Sequence, residues 1–495
     1  METFLIRALQ LILSLSILVV LHEFGHFAFA RLFKVRVEKF YMFFNPNFSL
    51  LRAKKINGQW SFKFFAKNIP ANERSKVDGD GDVMHDSKGK PILEQIPIEE
   101  LPEGDWRKYP ENTEWGIGWL PLGGYCKISG MVDESMDVTQ MNQDPQPWEY
   151  RSRSVGQRLP IIIGGVLVNF ILAMVIYSAV LFTWGHEYLP LKNIKYGLEF
   201  SKVMLDNGFK NGDNIVKING IPVEQRGDLI EKILLDGKQD LIVSRDNQLI
   251  DLKLPSDFAQ KVLASNDPDL INVRFPFVID EVAAGTPAKK ANLMRGDSII
   301  GINGKKLFIY QDIVNELDAS ANTQIDLTYS RKGTVLNSKL QLDDTGKLGV
   351  IPLMEPVFWP VKHISYGFFE SIPAGIKFGW GTLASYVKQF KLVFTKEGSK
   401  KLGGFGSIGK MFPKTWDWEA FWSLTAFLSV ILAFMNFLPI PALDGGYVLF
   451  LIYELITRKK PNEKFLEYAQ TIGMMLLFGL LLYANGNDLF KAIFK

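Results

Sequence analysis

The sequence predicts a multi-domain membrane protein in which a core of four transmembrane helices is joined to two small α+β domains outside the membrane. Four stretches with few or no charged residues are long enough to cross a bilayer. Charged residues nevertheless make up 22% of the chain and hydrophobic residues 47%, so water-exposed parts must alternate with the spans. A nine-residue pattern also occurs twice between the second and third stretches, which indicates a duplicated domain.

The first stretch covers residues 8–30, where the only ionisable side chains are His22, Glu23 and His26. At about 1.5 Å per residue, such a helix spans roughly the hydrocarbon thickness of a bilayer. His22 and His26 are four residues apart, so they project from one helical face and both can reach a zinc ion, while Glu23 can act on a water held there. This pattern predicts a zinc-protease motif inside a membrane helix.

Three other interpretations of this stretch are weaker. A secretory signal peptide would have to carry three ionisable groups just before its cleavage site, and its lone early Arg7 is offset by Glu2. The five-residue motif recurs by chance in soluble chains, but such placement in an apolar span is much rarer. A structural role for the two histidines stays open, although intramembrane ionisable residues are more often functional.

Composition argues against several other classes of protein and site. The single cysteine, Cys126, excludes an internal disulfide framework and a cysteine-rich zinc site. The net charge is only +3, and the basic residues are dispersed without interleaved aromatic residues. Nothing in this composition indicates a nucleic-acid partner.

Three further spans are predicted at residues 159–185, 420–443 and 468–487. Basic residues concentrate between the last two spans, after the first span and before the second: Arg458, Lys459, Lys460, Lys464, Arg31, Lys34, Arg36, Lys39, Arg151, Arg153 and Arg158. Because positive residues favour the cytoplasmic side, residues 31–158 are expected inside and residues 186–419 outside. The zinc motif would then lie near the cytoplasmic face.

The outer segment contains the repeat. Gly-Asp-Asn-Ile-Val-Lys-Ile-Asn-Gly at residues 212–220 returns 84 residues later as Gly-Asp-Ser-Ile-Ile-Gly-Ile-Asn-Gly at 296–304. Each copy predicts a turn, a short strand and an Asn-Gly hairpin turn. Together with residues 285–293, the copies resemble a pair of PDZ domains, which implies a groove for extended peptides. A repeated β-rich spacer without a ligand remains the alternative.

The zinc motif supplies two ligands, whereas a catalytic zinc ion usually has three protein ligands. The best candidate for the third is Asp444, an acidic residue at membrane depth. Pro439 and Pro441 should break the third helix before it, and Gly445 and Gly446 loosen the chain after it, so the backbone can turn Asp444 towards the metal. Asp444 could alternatively be a helix-capping residue.

With both motifs present, the chain resembles the site-2 protease family of intramembrane metalloproteases, in particular members with two periplasmic PDZ domains. Residues 22–26 fit that family's HExxH, and residues 436–445 fit its N-x-x-P-x-P-x-L-D-G at every fixed position. Residues 119–125 look like its membrane re-entrant β-hairpin. Gly165, Asn169 and Phe170 fit its second-helix element, although Val166 stands where proline is frequent and Phe405 departs from a common Gly-Gly-Pro.

The resemblance implies specific roles. His22, His26 and Asp444 would bind Zn²⁺, and Glu23 would be the general base. Asn169, Asn436, Gly123 and Gly124 would help to hold a substrate strand. The implied substrates are single-pass membrane proteins such as anti-sigma factors, and signal-peptide remnants. The implied location is the bacterial cytoplasmic (inner) membrane, with extracytoplasmic peptides as partners of the PDZ domains.

Two segments have no clear role in this scheme. A polar insertion at residues 68–111 contains Asp78-Gly79-Asp80-Gly81-Asp82, but Val83 and Gly89 occupy the positions where a calcium loop needs glycine and glutamate. A solvated cytoplasmic loop is therefore expected. Residues 364–394 are apolar but interrupted by charged residues, so they predict an interfacial amphipathic helix rather than a fifth crossing.

The predicted domains follow in chain order: the first transmembrane helix at 1–34, a cytoplasmic and re-entrant β region at 35–158, the second helix at 159–185, PDZ domains at 190–256 and 270–352, an amphipathic interfacial region at 360–416, and the third and fourth helices at 417–445 and 466–487. The predicted function is zinc-dependent hydrolysis of transmembrane segments. A catalytically silent peptide-binding scaffold and a metal transporter are the rival hypotheses. The intact Glu23 argues against the first rival, and the peptide-binding tandem argues against the second.

Overall fold

The computed structural model describes residues 2–68, 73–76, 83–84, 91–121, 123–131, 144–235, 239–265, 267, 269–354 and 358–494. The calcium-like segment at residues 78–82 and Leu122 lie outside the described residues. The described chain forms two compact units. The first unit contains the described residues of 1–184, 366–387 and 402–495, and the second contains those of 185–365 and 388–401.

The helices are α1 (Glu2–Leu32), α2 (Val155–Thr183), α3 (Lys202–Leu205), α4 (Gly227–Leu235), α5 (Phe258–Ser265), α6 (Pro287–Lys290), α7 (Tyr310–Ala319), α8 (Phe368–Val393), α9 (Lys396–Ser399), α10 (Phe405–Met411), α11 (Trp418–Phe437), α12 (Asp444–Thr457) and α13 (Glu463–Phe494). The strands are β1 (Val37–Met42), β2 (Phe48–Ile56), β3 (Gln59–Lys67), β4 (Glu73–Ser75), β5 (Leu93–Gln95), β6 (Glu114–Ile117), β7 (Tyr125–Ile128), β8 (His186–Tyr188), β9 (Leu198–Phe200), β10 (Asn214–Ile218), β11 (Ile221–Pro222), β12 (Gln239–Arg245), β13 (Gln248–Leu254), β14 (Ile271–Val273), β15 (Ile279–Val282), β16 (Ser298–Ile302), β17 (Lys305–Lys306), β18 (Gln324–Arg331), β19 (Thr334–Gln341), β20 (Val350–Pro352) and β21 (Lys362–Ile364).

Within the described ranges, four helices are long and apolar enough to cross a membrane: α1, α2, α11 and α13. Each overlaps one of the predicted spans. The third span differs in its end, because α11 stops at Phe437 and a separate helix, α12, begins at Asp444. Pro439 and Pro441 between them cannot donate backbone hydrogen bonds, so the helix cannot continue. The predicted third helix at 417–445 therefore comprises α11, a turn and the start of α12.

Helices α1 and α2 approach each other through glycine. A Cβ atom on Gly25 would collide with the backbone of Gly164, and one on Gly164 would lie 2.7 Å from the Gly25 carbonyl oxygen. Only residues without a side chain permit this close backbone contact, as is usual where membrane helices pack. The contact holds α2 against the part of α1 that carries the zinc motif.

The sheet of the first unit has the strand order β3, β2, β6, β1, β7. Strand β1 pairs in parallel with β6 and antiparallel with β7. The predicted re-entrant hairpin at residues 119–125 is therefore wrong in its local form, because the strands that flank it are separated by β1. A hairpin requires its two strands to be neighbours. The chain instead passes from β6 across β1 to β7, which is the last strand in the order.

A hairpin does form from β2 and β3, which pair over their whole length. Its turn is Asn57-Gly58, with φ of 47° and 82°. Positive φ at both positions is what the tightest hairpin turn requires. The Asn-Gly dipeptide at residues 57–58 could therefore have predicted this hairpin from the sequence.

Both copies of the repeat fold in the same way, with strand order β11, β10, β12, β13 in the first and β17, β16, β18, β19 in the second. Asn219 and Asn303 adopt φ of 51° in the predicted Asn-Gly turns. Asp213 and Asp297 are both 1% exposed. Each aspartate accepts two hydrogen bonds of 2.7–2.8 Å from an arginine, Arg245 or Arg331. In each copy, the aspartate of the duplicated Gly-Asp is thus buried in an ion pair with a partly exposed arginine.

Helix α8 packs lengthwise against α2. Gly375 lies against Ser178 and Gly379 against Met174, while Phe368 and Trp380 contact Phe182 and Phe170. From residue 170 to residue 182, a helix rises about 18 Å. Helix α8 therefore lies against α2 over about this length, and its interfacial position stays a prediction.

Candidate metal centre

Helix α1 places His22 and His26 one turn apart on the same face. Their Nε2 atoms are 3.3 Å apart. Such proximity follows from the i, i+4 spacing, because side chains four residues apart lie one above the other on a helix. The prediction that one helical face presents both imidazoles is confirmed.

Asp444 meets these histidines although more than 400 residues separate them in the chain. Its Oδ2 atom lies 3.2 Å from His22 Nε2 and 3.4 Å from His26 Nε2. Asp444 is the first residue of α12, after a turn in which Ala442 adopts φ of 75°. The next residue, Gly445, lies against the backbone at the end of α11. A Cβ atom on Gly445 would collide with the Leu438 carbonyl oxygen, so α12 can begin here only because position 445 has no side chain.

The arrangement of these three atoms fits a zinc ion. Ligand atoms bound at 2.0–2.1 Å to a tetrahedral zinc lie about 3.3 Å apart, close to the three separations in the structure. Nδ1 of His26 donates to the Ile161 carbonyl oxygen at 2.9 Å. Since a carbonyl only accepts, the proton of the neutral ring is on Nδ1 and the lone pair on Nε2 faces the cluster. Among the described residues, His22, His26 and Asp444 are the group able to hold a metal.

Gly165 of α2 forms the floor of this cluster. A Cβ atom on Gly165 would lie 2.6 Å from His22 Cε1 and 2.8 Å from His22 Nδ1, and would collide with His26 Nε2. The sequence motif contained Gly165 without indicating why glycine stands there. The structure supplies the reason, because the two imidazoles occupy the space of the missing side chain.

The two asparagines predicted to bind substrate both lie beside His22. Asn169 is completely buried, and its Nδ2 is 3.4 Å from His22 Nδ1. Asn436 is half-buried, with its Nδ2 3.4 Å from His22 Nε2. Asn169 therefore contacts the back of the imidazole, whereas Asn436 contacts its metal-facing nitrogen.

The predicted glycines at positions 123 and 124 lead into β7. Gly124 packs beside Glu23, since a Cβ atom on Gly124 would lie 3.6 Å from Glu23 Cγ. Gly123 lies instead against the Phe44 ring. Strand β7 is supported from behind by Tyr41, whose ring stacks on Tyr125 at 5.1 Å. Burial and the Glu114 carboxylate raise the pKa of Tyr41, so its hydroxyl stays protonated and donates to Glu114 at 2.5 Å.

A cavity of about 70 Å³, with room for a few water molecules, opens at the cluster. It is lined by His22, Glu23, His26, Cys126, Ile128, Met131, Ala442, Leu443, Asp444, Tyr447, Gln470 and Met474. Sequence reasoning identified the residues from α1 and Asp444 but missed those from β7, from Tyr447 and from α13. Gln470 carried a signal, because a polar residue near the start of an apolar span is unusual.

A buried ion pair outside the cavity was also missed. Nη2 of Arg158, on α2, lies 2.5 Å from Oε1 of Glu454, on α12, and both side chains are about one-tenth exposed. The pair ties α2 to the helix that carries Asp444. Nothing in the sequence links Arg158 to Glu454, which are almost 300 residues apart.

Comparison with known proteins gives a consistent result. The family model described as peptidase family M50 matches residues 10–67 and 104–480. A "Putative zinc metalloprotease" of Neisseria meningitidis is 24% identical to this chain over 508 residues, which cover 98% of this chain and 99% of the relative. The regulator of sigma-E protease RseP of Salmonella typhimurium is 25% identical over 506 residues, which cover 96% of this chain and 97% of the relative. Among solved structures, the PDZ domain of an SdrC-like protein from Listeria monocytogenes matches with a TM-score of 0.15 and 17% identity, covering 17% of this chain and 93% of that one.

Proposed function

The chain belongs to peptidase family M50, and from this membership we propose that it hydrolyses peptide bonds within the transmembrane segments of single-pass membrane proteins. It is a zinc metalloprotease of the site-2 protease family and of the RseP type. The observation that carries the proposal is the cluster of His22, His26 and Asp444, with separations of 3.2–3.4 Å, in which the two histidines lie on a helix apolar enough to cross a membrane.

In this proposal, His22, His26 and Asp444 hold the zinc ion. A zinc ion held by these residues would lower the pKa of a bound water molecule and polarise the carbonyl group of the bond to be cut. Glu23 lines the same cavity. Its carboxylate takes the proton that the attacking water loses and delivers it to the nitrogen of the leaving amine as the C–N bond breaks.

The two asparagines receive different roles. Asn436 is half-buried beside the metal-facing nitrogen of His22, which suits donation of a hydrogen bond to a substrate carbonyl. Asn169 is fully buried behind the same ring. This position supports a role in orienting His22 rather than in touching substrate.

The substrate would bind as an added strand. A transmembrane helix hides its carbonyl groups in its own hydrogen bonds, so it must unwind before cleavage. Strand β7 is the last in the order of its sheet, its residues Cys126 and Ile128 line the cavity, and Gly124 lies beside Glu23. A strand added along β7, entering past Gly123 and Gly124, would keep its backbone groups paired while one peptide bond is presented to Glu23.

Location and partners follow from the charge pattern and the repeats. The distribution of basic residues favours a multi-pass protein of the bacterial cytoplasmic membrane, with the metal centre towards the cytoplasm. The shared strand order of the two repeats supports two PDZ domains, which would bind extracytoplasmic peptides or chain termini. Substrates of the anti-sigma-factor type, and signal-peptide remnants, fit a protease that acts after the outer part of its substrate has been removed.

The test combines metal content with cleavage of a single-pass substrate by the purified full-length chain. We expect about one zinc per chain. Glu23→Gln should keep the zinc and lose cleavage, whereas Asp444→Ala should lose both. A silent scaffold would not cleave, and a metal transporter would bind metal without cleaving. Full zinc content in Asp444→Ala would assign the third ligand to another residue.

A further inference from the structure

Helix α13 buries almost nothing except a polar side chain. It is 32 residues long, and among those whose side chains the structure describes only Gln470 and Gly473 are buried. Gln470 is 5% exposed. Helices in folded proteins normally bury apolar residues, so the burial of a glutamine sets this face of α13 apart from the rest of the helix.

The position of Gln470 is set by its neighbours one turn along the helix. Gly473 and Met474 lie on the same face as Gln470, since they follow it by three and four residues. Gly473 packs directly against the backbone of Pro441, three residues before Asp444, and a Cβ atom there would collide with the Pro441 carbonyl. This contact brings α13 to the metal centre, where Gln470 and Met474 line the cavity with His22, Glu23 and Asp444.

The side chain of Gln470 is 5% exposed and forms part of the cavity lining. Buried side-chain amides in proteins nearly always have a hydrogen-bond partner, so the amide of Gln470 is suited to pair with a polar group that enters the cavity. In contrast, Thr471, the next residue on α13, donates to the Glu467 carbonyl oxygen at 2.9 Å, so its hydroxyl is satisfied by its own helix. Gln470 thus offers both a donor and an acceptor to whatever enters the cavity.

We propose that Gln470 binds a peptide group of the substrate backbone next to the bond that is cleaved. A strand added to β7 pairs on one side only, and its other edge has N–H and C=O groups without a neighbouring strand. Strand β7 and α13 line the same cavity. A carboxamide presents a carbonyl acceptor and an NH2 donor, so it can pair with the N–H and C=O groups of the substrate as a neighbouring strand would, and at membrane depth no bulk water competes for these groups.

This inference rests on the proposed proteolytic function and adds a residue from the fourth apolar helix to the substrate site. It also predicts that recognition by Gln470 does not depend on substrate side chains, because every peptide offers the same backbone groups. Gln470 can reach the substrate backbone only while α13 packs against Pro441, and the substrate strand would then lie between β7 and α13.

The first experiment measures kcat/KM and zinc content in the full-length chain. Gln470→Met keeps the length of the side chain and removes the amide, and we expect kcat/KM to fall about 10- to 100-fold, as for loss of a buried hydrogen bond, with zinc content unchanged. The matched control, Thr471→Val, removes a polar group from the adjacent position and should stay within about twofold. If Gln470→Met does not fold, Gln470→Asn, which withdraws the amide by one methylene, should show the same selective loss.

The second experiment tests the backbone contact itself. Substrates in which one peptide N–H near the cleaved bond is replaced by an ester oxygen are compared in the wild type and in Gln470→Met. At the position bound by Gln470, the ester should slow the wild type and have little further effect on the variant. Additive losses at every position, unchanged kcat/KM in both variants, or loss of zinc in both variants would overturn the inference. Failure of the wild type to cleave any substrate would instead reject the proposed function.

Discussion

Replacing Gly165 by alanine would add a methyl group to the floor of the metal centre. Its carbon would lie 2.6 Å from His22 Cε1 and 2.8 Å from His22 Nδ1. Non-bonded contacts of this kind are normally about 3.5 Å or more. The imidazole of His22 would therefore have to move by about 0.7–0.9 Å, and His26 would also have to yield because its Nε2 collides with the new atom.

Such a displacement is several times larger than the tolerance of about 0.2 Å expected for metal–ligand distances. Misplaced supporting groups typically reduce metal affinity by about 10- to 100-fold, and here two ligands are displaced together, so we expect at least that loss. Overpacking should also destabilise the fold by about 1–3 kcal/mol. Zinc content after dialysis against graded chelator concentrations, together with thermal unfolding, measures both effects.

Helix α2 offers a matched control at Gly156, where a Cβ atom would meet nothing within 4 Å. Gly156→Ala should retain its zinc and gain slightly in stability, because alanine favours helix. If Gly165→Ala bound zinc as tightly as Gly156→Ala, the space below the histidines would not be required for the metal. The assignment of the cluster as the zinc site would then be refuted.

Three further predictions address other parts of the chain. A cysteine introduced at Lys401 should react with a membrane-impermeant label added from outside, and labelling from the cytoplasm would refute the arrangement with four spans. Replacing residues 197–348 with a flexible linker should preserve zinc content, because the metal cluster lies in the first unit. If the repeats act as a size filter, the same deletion should increase cleavage of untrimmed substrate. Loss of trimmed-substrate cleavage would instead mean that the repeats deliver substrate. Burial opposes ionisation of Asp297, but hydrogen bonds from Arg331 and from the Met294 N–H outweigh this effect and lower the pKa of Asp297. Protection of β16 and β18 against hydrogen exchange should therefore hold at neutral pH and fall as acid protonates Asp297. This pH dependence should be absent in Asp297→Asn.

Local features were predictable because their energies depend on neighbouring residues. The i, i+4 spacing of His22 and His26 follows from helix geometry alone. The turns at Asn219 and Asn303 follow from the positive φ that an Asn-Gly hairpin turn requires. The end of α11 before Pro439 follows from the missing N–H of proline. In each case, a few consecutive residues contain the whole physical cause.

The errors concerned contacts between distant segments. Residues 119–125 were interpreted as a re-entrant hairpin from their resemblance to the site-2 protease family, but β1 lies between the strands on either side of them. That pairing depends on residues about 80 positions away in the chain. The packing of α8 against α2 was also not predictable, because it depends on Gly375 and Gly379, and the charge pattern of residues 364–394 contains no signal for that contact.

By itself, the sequence determined the chemical groups of the metal centre and the helix that presents two of them, since backbone geometry within one turn is enough to place His22 beside His26. Only the tertiary structure decided that Asp444 lies 3.2 Å from His22, that Gly165 must lack a side chain and that Gln470 faces the cavity. These relations arise from the packing of α1, α2, α12 and α13. Close packing depends on surfaces that come together from distant parts of the chain, and no local pattern of residues specifies it.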